Sequence, residues 1–582
     1  MTPATALCTT CDDEAPMMPF TSPAMRRLLP ALFLLLCCVL AAGVRADERK
    51  PPQAAIASAY PLATEAGFEI LDAGGNAFDA AVAVSAALNV VEPRGSGMGG
   101  GGFYLLHFGS DGRTVFVDAR EVAPAAATRD MFLGPDGQPV PGRSTDTALA
   151  AGIPGEPAAW AHLATQYGRL PLAQSMQPAI RLAREGYPVY ARLVNDITRK
   201  QKALERTPDG KRIFFVNGAV PREGHILKQR DLARSLEALA RKGPDEYYRG
   251  DLGRRLVAGV RQLGGIWSME DLAAYRLIER EPLVGSYRGV RIVTSPPPSS
   301  GGITVLNVLN ILSGYQLDKV DPAARKHLLI EGLRRAHRDR AEYLGDPAFV
   351  RLPTERLLSA DYAAGQRASI RIDKATPSAM LPGYTGDTRS GTSTTHFSVL
   401  DREGNRVAAS ITLNAWFGTG LIAPGTGILL NNEMDDFAIK PGAPNIYQLV
   451  GAEANAVEPR KRPLSSMAPT FLESDRGIAI LGSPGGSYIP SMVLLGTLNW
   501  VDGADAEKIV AARRFHHQYL PDSVAMETGV FTEEEQGSLA ARGHAFRPWP
   551  ATIGNMQVVT WDYAGKVLAA SDPRAVGKGI IR

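Results

Sequence analysis

The pattern of the sequence changes at residue 394, and this change limits the folds open to the chain. Residues 163–357 are mostly helical in pattern, with arginine-, leucine- and alanine-rich stretches at Asp231–Arg241 and His327–Tyr343. After residue 394, short apolar runs alternate with turn residues, which predicts hairpins. The predicted pairs are Thr395–Leu400 with Arg406–Leu413, Thr470–Glu473 with Ile478–Leu481, and Gln557–Asp562 with Lys566–Ala570. Strands and long helices together predict sheet layers covered by helices.

A buried helix followed by a glycine run marks the first part of the chain. Residues 77–91 (AFDAAVAVSAALNVV) are almost entirely apolar, and Asn76 precedes them as a helix cap. The run from Gly95 to Gly102 then leads into an apolar strand at 103–107. A phosphate-binding loop would need a terminal Gly-Lys-Ser/Thr, and a dinucleotide site would need strand, glycines and helix in that order. Both nucleotide-binding motifs are therefore excluded.

Length and charge set further bounds. The chain has 582 residues, more than the roughly 250–300 at which single cores stop growing. It holds two or more domains, or two segments that interleave into one layered body. The formal net charge of +3 is small for this length, so nothing indicates a nucleic-acid partner.

The first 46 residues are typical of an export signal. Arg26 and Arg27 precede an apolar stretch at 28–44, and Val44 and Ala46 supply the small residues of a cleavage site. This predicts a periplasmic or secreted protein, with an uncleaved membrane anchor as the alternative and Met25 as a candidate start. All four cysteines lie in this leader, so the mature chain is predicted to have none; its lone CxxC is a weak metal or redox signal. They are Cys8, Cys11, Cys37 and Cys38.

The junction between Ser393 and Thr394 is the candidate for chemistry. Residues 385–392 (TGDTRSGT) are polar and have no apolar period, which predicts a flexible loop, and a strand begins directly after Thr394. Breaking the 393–394 bond would give Thr394 a free α-amine with a reference pKa of about 7.7–8.0. One residue would then supply both the nucleophile and its base.

Several blocks in order resemble the γ-glutamyltransferase (γ-glutamyltranspeptidase) family, and the resemblance covers nearly all the chain after the leader. The blocks are GGNA at 74–77, VEP at 91–93, the four-glycine loop, DARE at 118–121, TTHFSVLD at 394–401, TLN at 412–414, FGTG at 417–420, LNNEMDDF at 430–437, RPLSSMAPT at 462–470 and SPGGS at 483–487.

The resemblance implies an N-terminal nucleophile hydrolase of the α+β class, with a four-layer αββα sandwich. It implies self-cleavage into a large subunit of residues 47–393 and a small subunit of residues 394–582, which stay together as a heterodimer. By the same resemblance, Thr394 forms a γ-glutamyl ester. The ester then passes to water or to an amino-acid or peptide acceptor.

The family positions also imply roles for individual residues. Guanidinium and hydroxyl groups suit the donor's α-carboxylate, and carbonyl and carboxylate oxygens suit its α-ammonium. Thr412 would orient the nucleophile, and backbone N–H groups would stabilise the oxyanion. The assigned residues are Arg120, Ser465 and Ser466 for the carboxylate; Asn414, Glu433 and Asp436 for the ammonium; Gly485 and Gly486 for the oxyanion; and Tyr447 as the latch of a lid loop.

Two kinds of alternative remain at this stage. His516-His517 looks like a metal pair, but adjacent strand residues point to opposite faces, so packing is the expected role and no metal or cofactor is predicted. For function, a cephalosporin or poly-γ-glutamate acylase of the same fold is one alternative, and a catalytically dead exported binding protein is another. The retained zwitterion-binding and nucleophile residues favour a glutathione-like donor over both.

Overall fold

Two antiparallel β-sheets stacked face to face form the centre of the protein in a computed structural model. The structure describes residues 49–381, 394–550 and 554–582. The predicted leader at 1–46 with its cysteines, and the predicted cleavage loop including Ser393, lie outside the described residues.

The strands are numbered in chain order. They are β1 (Ala55–Ser58), β2 (Gly101–His107), β3 (Thr114–Ala119), β4 (Tyr187–Pro188), β5 (Ile226–Leu227), β6 (Ile278–Arg280), β7 (Leu283–Tyr287), β8 (Val290–Thr294), β9 (Thr395–Leu400), β10 (Arg406–Thr412), β11 (Ile422–Ala423), β12 (Ile428–Leu429), β13 (Thr470–Ser474), β14 (Gly477–Gly482), β15 (Phe515–His516), β16 (Val524–Met526), β17 (Phe546–Pro548), β18 (Gln557–Asp562), β19 (Val567–Ser571) and β20 (Lys578–Ile581).

The α-helices are numbered in the same way. They are α1 (Pro61–Asp72), α2 (Ala77–Val91), α3 (Glu156–His162), α4 (Leu172–Ser175), α5 (Gln177–Glu185), α6 (Ala191–Leu204), α7 (Pro208–Phe214), α8 (Arg230–Lys242), α9 (Pro244–Tyr248), α10 (Asp251–Gln262), α11 (Met269–Ala274), α12 (Gly301–Leu312), α13 (Pro322–Tyr343), α14 (Thr354–Leu357), α15 (Ala360–Ala368), α16 (Ile489–Val501), α17 (Ala506–Ala511) and α18 (Glu533–Ala541).

The two sheets and the helices outside them make the four layers. The first sheet has the order β20-β1-β9-β10-β2-β3-β6, and the second has the order β19-β18-β14-β13-β8-β7. Alternate residues of β2 face different cores: Tyr104 and Leu106 pack with α1 and α2, whereas Phe103 and Leu105 pack towards the second sheet. The second sheet is covered on its far side by α12, α13 and α16. Both faces of each sheet are thus buried.

Helix α2 begins where its sequence predicts. The Asn76 side chain accepts hydrogen bonds from the backbone N–H groups of Phe78 (2.9 Å) and Asp79 (3.2 Å), and the Asp79 carboxylate accepts one from the Asn76 N–H (3.0 Å). This reciprocal capping box satisfies N–H groups that the first helical turn leaves without partners. Every residue of α2 is buried, as the apolar sequence predicts.

The glycine run brings backbones together where side chains would collide. A Cβ atom on Gly99 would overlap the carbonyl of Leu429, and one on Gly100 would overlap the carbonyl of Thr412. Glycine is the residue that permits such an approach. The run therefore packs the start of β2 directly against the end of β10, which carries Thr412.

The predicted hairpins agree with the structure within a residue or two, but the middle region differs from its mostly helical prediction. Strands β6, β7 and β8 occupy part of residues 278–294 within it. Strand β6 has only three residues and pairs with the distant β3, whereas β7 (LVGSY) is short, only partly apolar and pairs with the adjacent β8. Within the described residues, no helix is long and apolar enough to cross a membrane.

A buried carboxyl group in the helical layer makes the fold sensitive to pH. Glu156 accepts hydrogen bonds from Ser85 (2.5 Å), Tyr104 and Trp160 (2.9 Å) through one oxygen. Burial nevertheless raises its pKa from 4.5 to about 7. The folded state therefore holds this proton more tightly than the unfolded state, and unfolding free energy falls as the pH rises through this window.

We expect Glu156→Gln, which cannot ionise, to remove this part of the pH dependence. A tenfold change in an ionisation constant corresponds to about 1.4 kcal/mol. The free energy of unfolding of the wild type should therefore fall by roughly 3 kcal/mol between pH 4.5 and 8, whereas that of the variant should not show this decrease. Chemical denaturation at both pH values gives the change in unfolding free energy with pH, and this slope is compared between the proteins. The exposed Glu185→Gln variant is the control and should retain the wild-type slope; equal slopes in all three proteins would contradict the assignment.

Candidate active site

The candidate nucleophile lies at the start of a central strand. The register of β9 against β10 pairs Thr395 with Ile411, which brings Thr394 beside Thr412. Their hydroxyl oxygens are 3.4 Å apart, and the Thr412 hydroxyl also accepts a hydrogen bond from the backbone N–H of Asn414 at 2.8 Å. Thr394 has φ +140°, a backbone conformation unusual for a residue with a Cβ. The structure thus places the predicted orienting hydroxyl next to the nucleophile.

A buried guanidinium and its carboxylates form the charged side of the site. Arg120 directly follows β3 and forms ion pairs with Glu433 and with Asp436, the latter at 2.6 Å. Its Nε donates a hydrogen bond to the carbonyl of Pro463 at 3.0 Å. Glu433 and Asp436 lie on one short 3₁₀ helix, Glu433–Asp436. This single turn therefore presents both carboxylates to the same arginine.

Burial and crowding shift the ionisation of this cluster. Burial raises the pKa of Glu433 and of Asp436, and Arg120 only partly opposes the rise. Burial also raises the pKa of Glu121 to about 8, and its carboxylate lies 3.6 Å from Arg120. Three carboxyl groups thus share one guanidinium. Because the pKa of Glu121 is raised to about 8, the three carboxyl groups do not all carry a charge near neutral pH, and a cation bound beside them would favour their ionised forms.

Tyr447, the predicted lid residue, lies against the site. Its hydroxyl donates to the carbonyl of Asn414 at 2.6 Å, and its own carbonyl accepts a hydrogen bond from the side-chain amide of Gln518 at 3.1 Å. The ring lies against Gly486, where a Cβ atom would overlap it. Gly485 and Gly486 both have positive φ, at +141° and +57°. Positive φ favours glycine at both positions, and at Gly486 the contact with the Tyr447 ring also leaves no room for a Cβ atom.

Most of the predicted site residues meet around one cavity. Its volume is about 20 Å³, roughly the space of a single water, so the site is narrow. Two of the predicted residues do not line it: Ser393 lies outside the described residues, and Gly485 sits just behind Gly486. The predicted residues that line the cavity are Arg120, Thr394, Thr412, Asn414, Glu433, Asp436, Tyr447, Ser465, Ser466 and Gly486.

Some residues of the site were not singled out from the sequence. Met467 and Ile489 complete the cavity wall, and the Gln518 side chain donates a hydrogen bond to the carbonyl of Tyr447. Glu121 belongs to the DARE block, but the sequence analysis assigned it no role. Its position next to Arg120 in the sequence could have indicated that it belongs to the site. Gln518 gave no such signal, because its contact with Tyr447 joins residues 71 positions apart.

The histidine pair has partners within the protein. His516 bonds to Ser491 at 2.7 Å and to Gln518 at 2.8 Å, whereas His517 bonds to Asp522 at 3.2 Å. In the described ranges, a group able to surround a metal ion is His327, Glu331 and His544. There, Glu331 already pairs with Arg334 and Arg335, and these cations disfavour a metal.

The fold and site together define a class. A threonine that begins a central strand of an αββα sandwich, beside a second hydroxyl and a buried anion- and cation-binding cluster, is the arrangement of an N-terminal nucleophile hydrolase.

Known proteins narrow the class to a family. A sequence profile of gamma-glutamyltranspeptidase matches residues 63–581. The chain is 43% identical to a glutathione hydrolase proenzyme of Escherichia coli over 543 residues, or 92% of this chain and 93% of that protein. It superposes on cephalosporin acylase from Bacillus halodurans with a TM-score of 0.79 and 30% identity, covering 92% of this chain and 97% of that one. A chain of the Helicobacter pylori γ-glutamyltranspeptidase structure matches with a TM-score of 0.54 and 37% identity, covering 56% and 93%.

The chain therefore belongs to the γ-glutamyltranspeptidase family. The family and the α+β fold class predicted from the sequence are confirmed. The roles given to individual residues stay predictions.

We expect Gly486→Ala to displace the Tyr447 ring, because the added methyl group would occupy its position. Limited digestion with chymotrypsin measures this as faster cleavage after Tyr447 or Leu449. Gly425 is the matched control: it has a similar positive φ of +70° with open space around it, so Gly425→Ala carries only backbone strain of about 1 kcal/mol. Equal cleavage rates in the two variants would contradict the contact.

Proposed function

We propose that this protein is an exported γ-glutamyltransferase and glutathione hydrolase that cleaves itself before Thr394. The observation that carries the proposal is the cavity in which the Thr394 hydroxyl meets a buried cluster of opposite charges. A γ-glutamyl donor has an α-carboxylate and an α-ammonium at the far end of the side chain from its scissile amide. It needs a nucleophile and a zwitterion site a fixed distance apart, and the presence of Thr394 and the charged cluster around one cavity supports this assignment.

The zwitterion would exchange partners with the cluster. Its carboxylate takes the place of the Glu433 and Asp436 oxygens on Arg120, helped by the hydroxyls of Ser465 and Ser466. Its ammonium takes the released carboxylates and the side chain of Asn414. The donor adds one positive and one negative charge, so the net charge of the buried cluster does not change, which limits the cost of desolvation.

The chemistry would follow in two steps. The Thr394 hydroxyl attacks the γ-carbonyl carbon, its proton passes to the Thr394 α-amine, and the oxyanion is held by the N–H groups of Gly485 and Gly486. The amide C–N bond then breaks, the departing nitrogen takes the proton, and a γ-glutamyl ester remains. Water or an acceptor amine attacks the ester and restores the threonine. Because the base is an α-amine, the uncleaved chain lacks it.

Cleavage would leave a heterodimer of residues 47–393 and 394–582. The Helicobacter pylori chain that matches only 56% of this one agrees with a division of this kind. Export follows from the leader predicted at 1–46.

The likeness to a cephalosporin acylase favours that activity as the second candidate, and the retained cluster around Arg120 favours the γ-glutamyl donor. Comparing kcat/KM for γ-glutamyl-p-nitroanilide and for an acylated cephalosporin decides between them.

Self-cleavage is tested on a denaturing gel of purified residues 47–582. We expect two bands, the lighter one starting Thr-Thr-His-Phe-Ser by N-terminal sequencing. Thr394→Ala should remain a single band because it lacks the hydroxyl, whereas Thr394→Ser keeps a hydroxyl and should still cleave itself. A single band from folded wild-type protein would overturn the mechanism.

The cluster predicts how ligand binding depends on pH. L-Glutamate carries the donor's zwitterion, so its inhibition constant reports on that site alone. Since burial raises the pKa of Glu433, lowering the pH protonates it and removes an acceptor of the ammonium. The inhibition constant should therefore rise as the pH is lowered, by up to about tenfold per pH unit.

The matched variant is Glu433→Gln, which cannot ionise and should flatten this profile. An inhibition constant that is independent of pH in the wild type would show that the carboxylates do not bind the ammonium.

A further inference from the structure

A second cleft, far larger than the cavity at Thr394, lies between helix α6 and the segment around β17. Its volume is about 1010 Å³. We call it the arginine cleft after the side chains that line it, among them Arg192, Asp196, Arg199, Arg547, Trp549 and Arg574. No step proposed above uses these residues.

One wall of the arginine cleft is connected to the nucleophile. The hydroxyl of Thr395, the residue after Thr394, donates to Glu92, and Glu92 pairs with Arg94 at 3.1 Å. Arg94 in turn pairs with Asp196 of the cleft at 3.1 Å. Buried ion pairs of this kind hold their partners in a fixed arrangement. Helix α6 is thus fixed against the loop that supports the start of β9.

The opposite wall is connected to the oxyanion glycines. Tyr488 lies two residues after Gly486, accepts a hydrogen bond from Arg547 at 2.8 Å, and packs edge-to-face on Trp549 with ring centroids 4.8 Å apart. Arg547 and Trp549 both line the cleft. The cleft is therefore bounded by elements that adjoin the nucleophile on one side and the oxyanion site on the other.

The charges of the cleft are not balanced. Asp196 is paired with Arg94, and Glu527 is paired with Arg574 at 3.1 Å. Among described residues, no carboxylate lies within 4.0 Å of the guanidinium nitrogens of Arg192, Arg199 or Arg547. Burial, and next the charge of Arg94, lowers the pKa of Arg192.

Arg547 adds a polar atom without a partner. Its Nε is buried and has no hydrogen-bond partner among the described residues. A buried donor of this kind costs free energy until an acceptor reaches it. Arginine in turn matches a carboxylate with two parallel hydrogen bonds.

We propose that the arginine cleft binds the amine side of the reaction: the peptide that leaves the donor and the peptide acceptor that replaces it, each through its terminal carboxylate. This rests on the proposed function. Arg192 and Arg199 hold the carboxylate, and Phe546 and Trp549 contact the side chain. The acceptor's amine forms a C–N bond to the ester carbonyl, the C–O bond to Thr394 breaks, and the amine's proton passes through the α-amine to the threonine oxygen.

The test compares two acceptors that differ only in this carboxylate. With γ-glutamyl-p-nitroanilide as donor, transfer is measured to glycylglycine and to glycylglycinamide. For the wild type we expect the KM for the amide to be about tenfold higher, the change expected for loss of one charge-assisted hydrogen bond. In Arg192→Gln and Arg199→Gln, the KM for glycylglycine should rise towards that of the amide, so the ratio falls towards one.

Arg351→Gln is the matched control, because Arg351 is exposed and lies outside the cleft; it should keep the wild-type ratio. Equal KM values for the two acceptors in the wild type, or an unchanged ratio in both cleft variants, would overturn the inference. General damage to the fold raises both KM values and leaves their ratio in place. Absence of p-nitroaniline release by the wild type without any acceptor would instead overturn the proposed function.

Discussion

The structure depends on backbone pairing across the proposed cleavage point. Strand β9, which begins at Thr395, lies between β1 and β10, and β10 in turn pairs with β2. Strands β1 and β2 precede residue 393, whereas β9 and β10 follow it. In the second sheet β8 and β13 pair across the same division. Breaking one peptide bond before Thr394 would remove none of these ladders, so the two parts could separate only by unfolding a common core.

The same division runs through the charged cluster. Arg120 belongs to the first part, and Glu433, Asp436 and the carbonyl of Pro463 belong to the second. Removing one partner from such a buried group costs about 3–5 kcal/mol, so the cluster ties the two parts together even without a ligand. It also explains the choice of arginine, whose planar fork serves two acceptors at once while its Nε serves a third.

The sequence predicted what local rules control and missed what depends on distant partners. The cap at Asn76, the buried α2 and the hairpin of β13 and β14 follow from short patterns. Strand β6 does not, because its three residues acquire their strand form from β3, which lies far earlier in the chain. In the site, the resemblance to the family allowed most of the cavity residues to be predicted from the sequence. The link from Thr395 through Glu92 to Arg94 came only from the structure, since it joins positions about 300 residues apart.

The cavity at Thr394 and the arginine cleft differ greatly in volume. The narrow cavity of about 20 Å³ is lined by Tyr447, whose bonds to Asn414 and Gln518 lie within the segment after residue 394. If Tyr447 acts as the predicted lid, these bonds would re-form behind a bound donor and keep water from the ester. The arginine cleft is already about 1010 Å³. A lid that shields one side while the other stays open would favour attack by a bound amine over attack by water, so the balance between transfer and hydrolysis would rest on how well the cleft is filled.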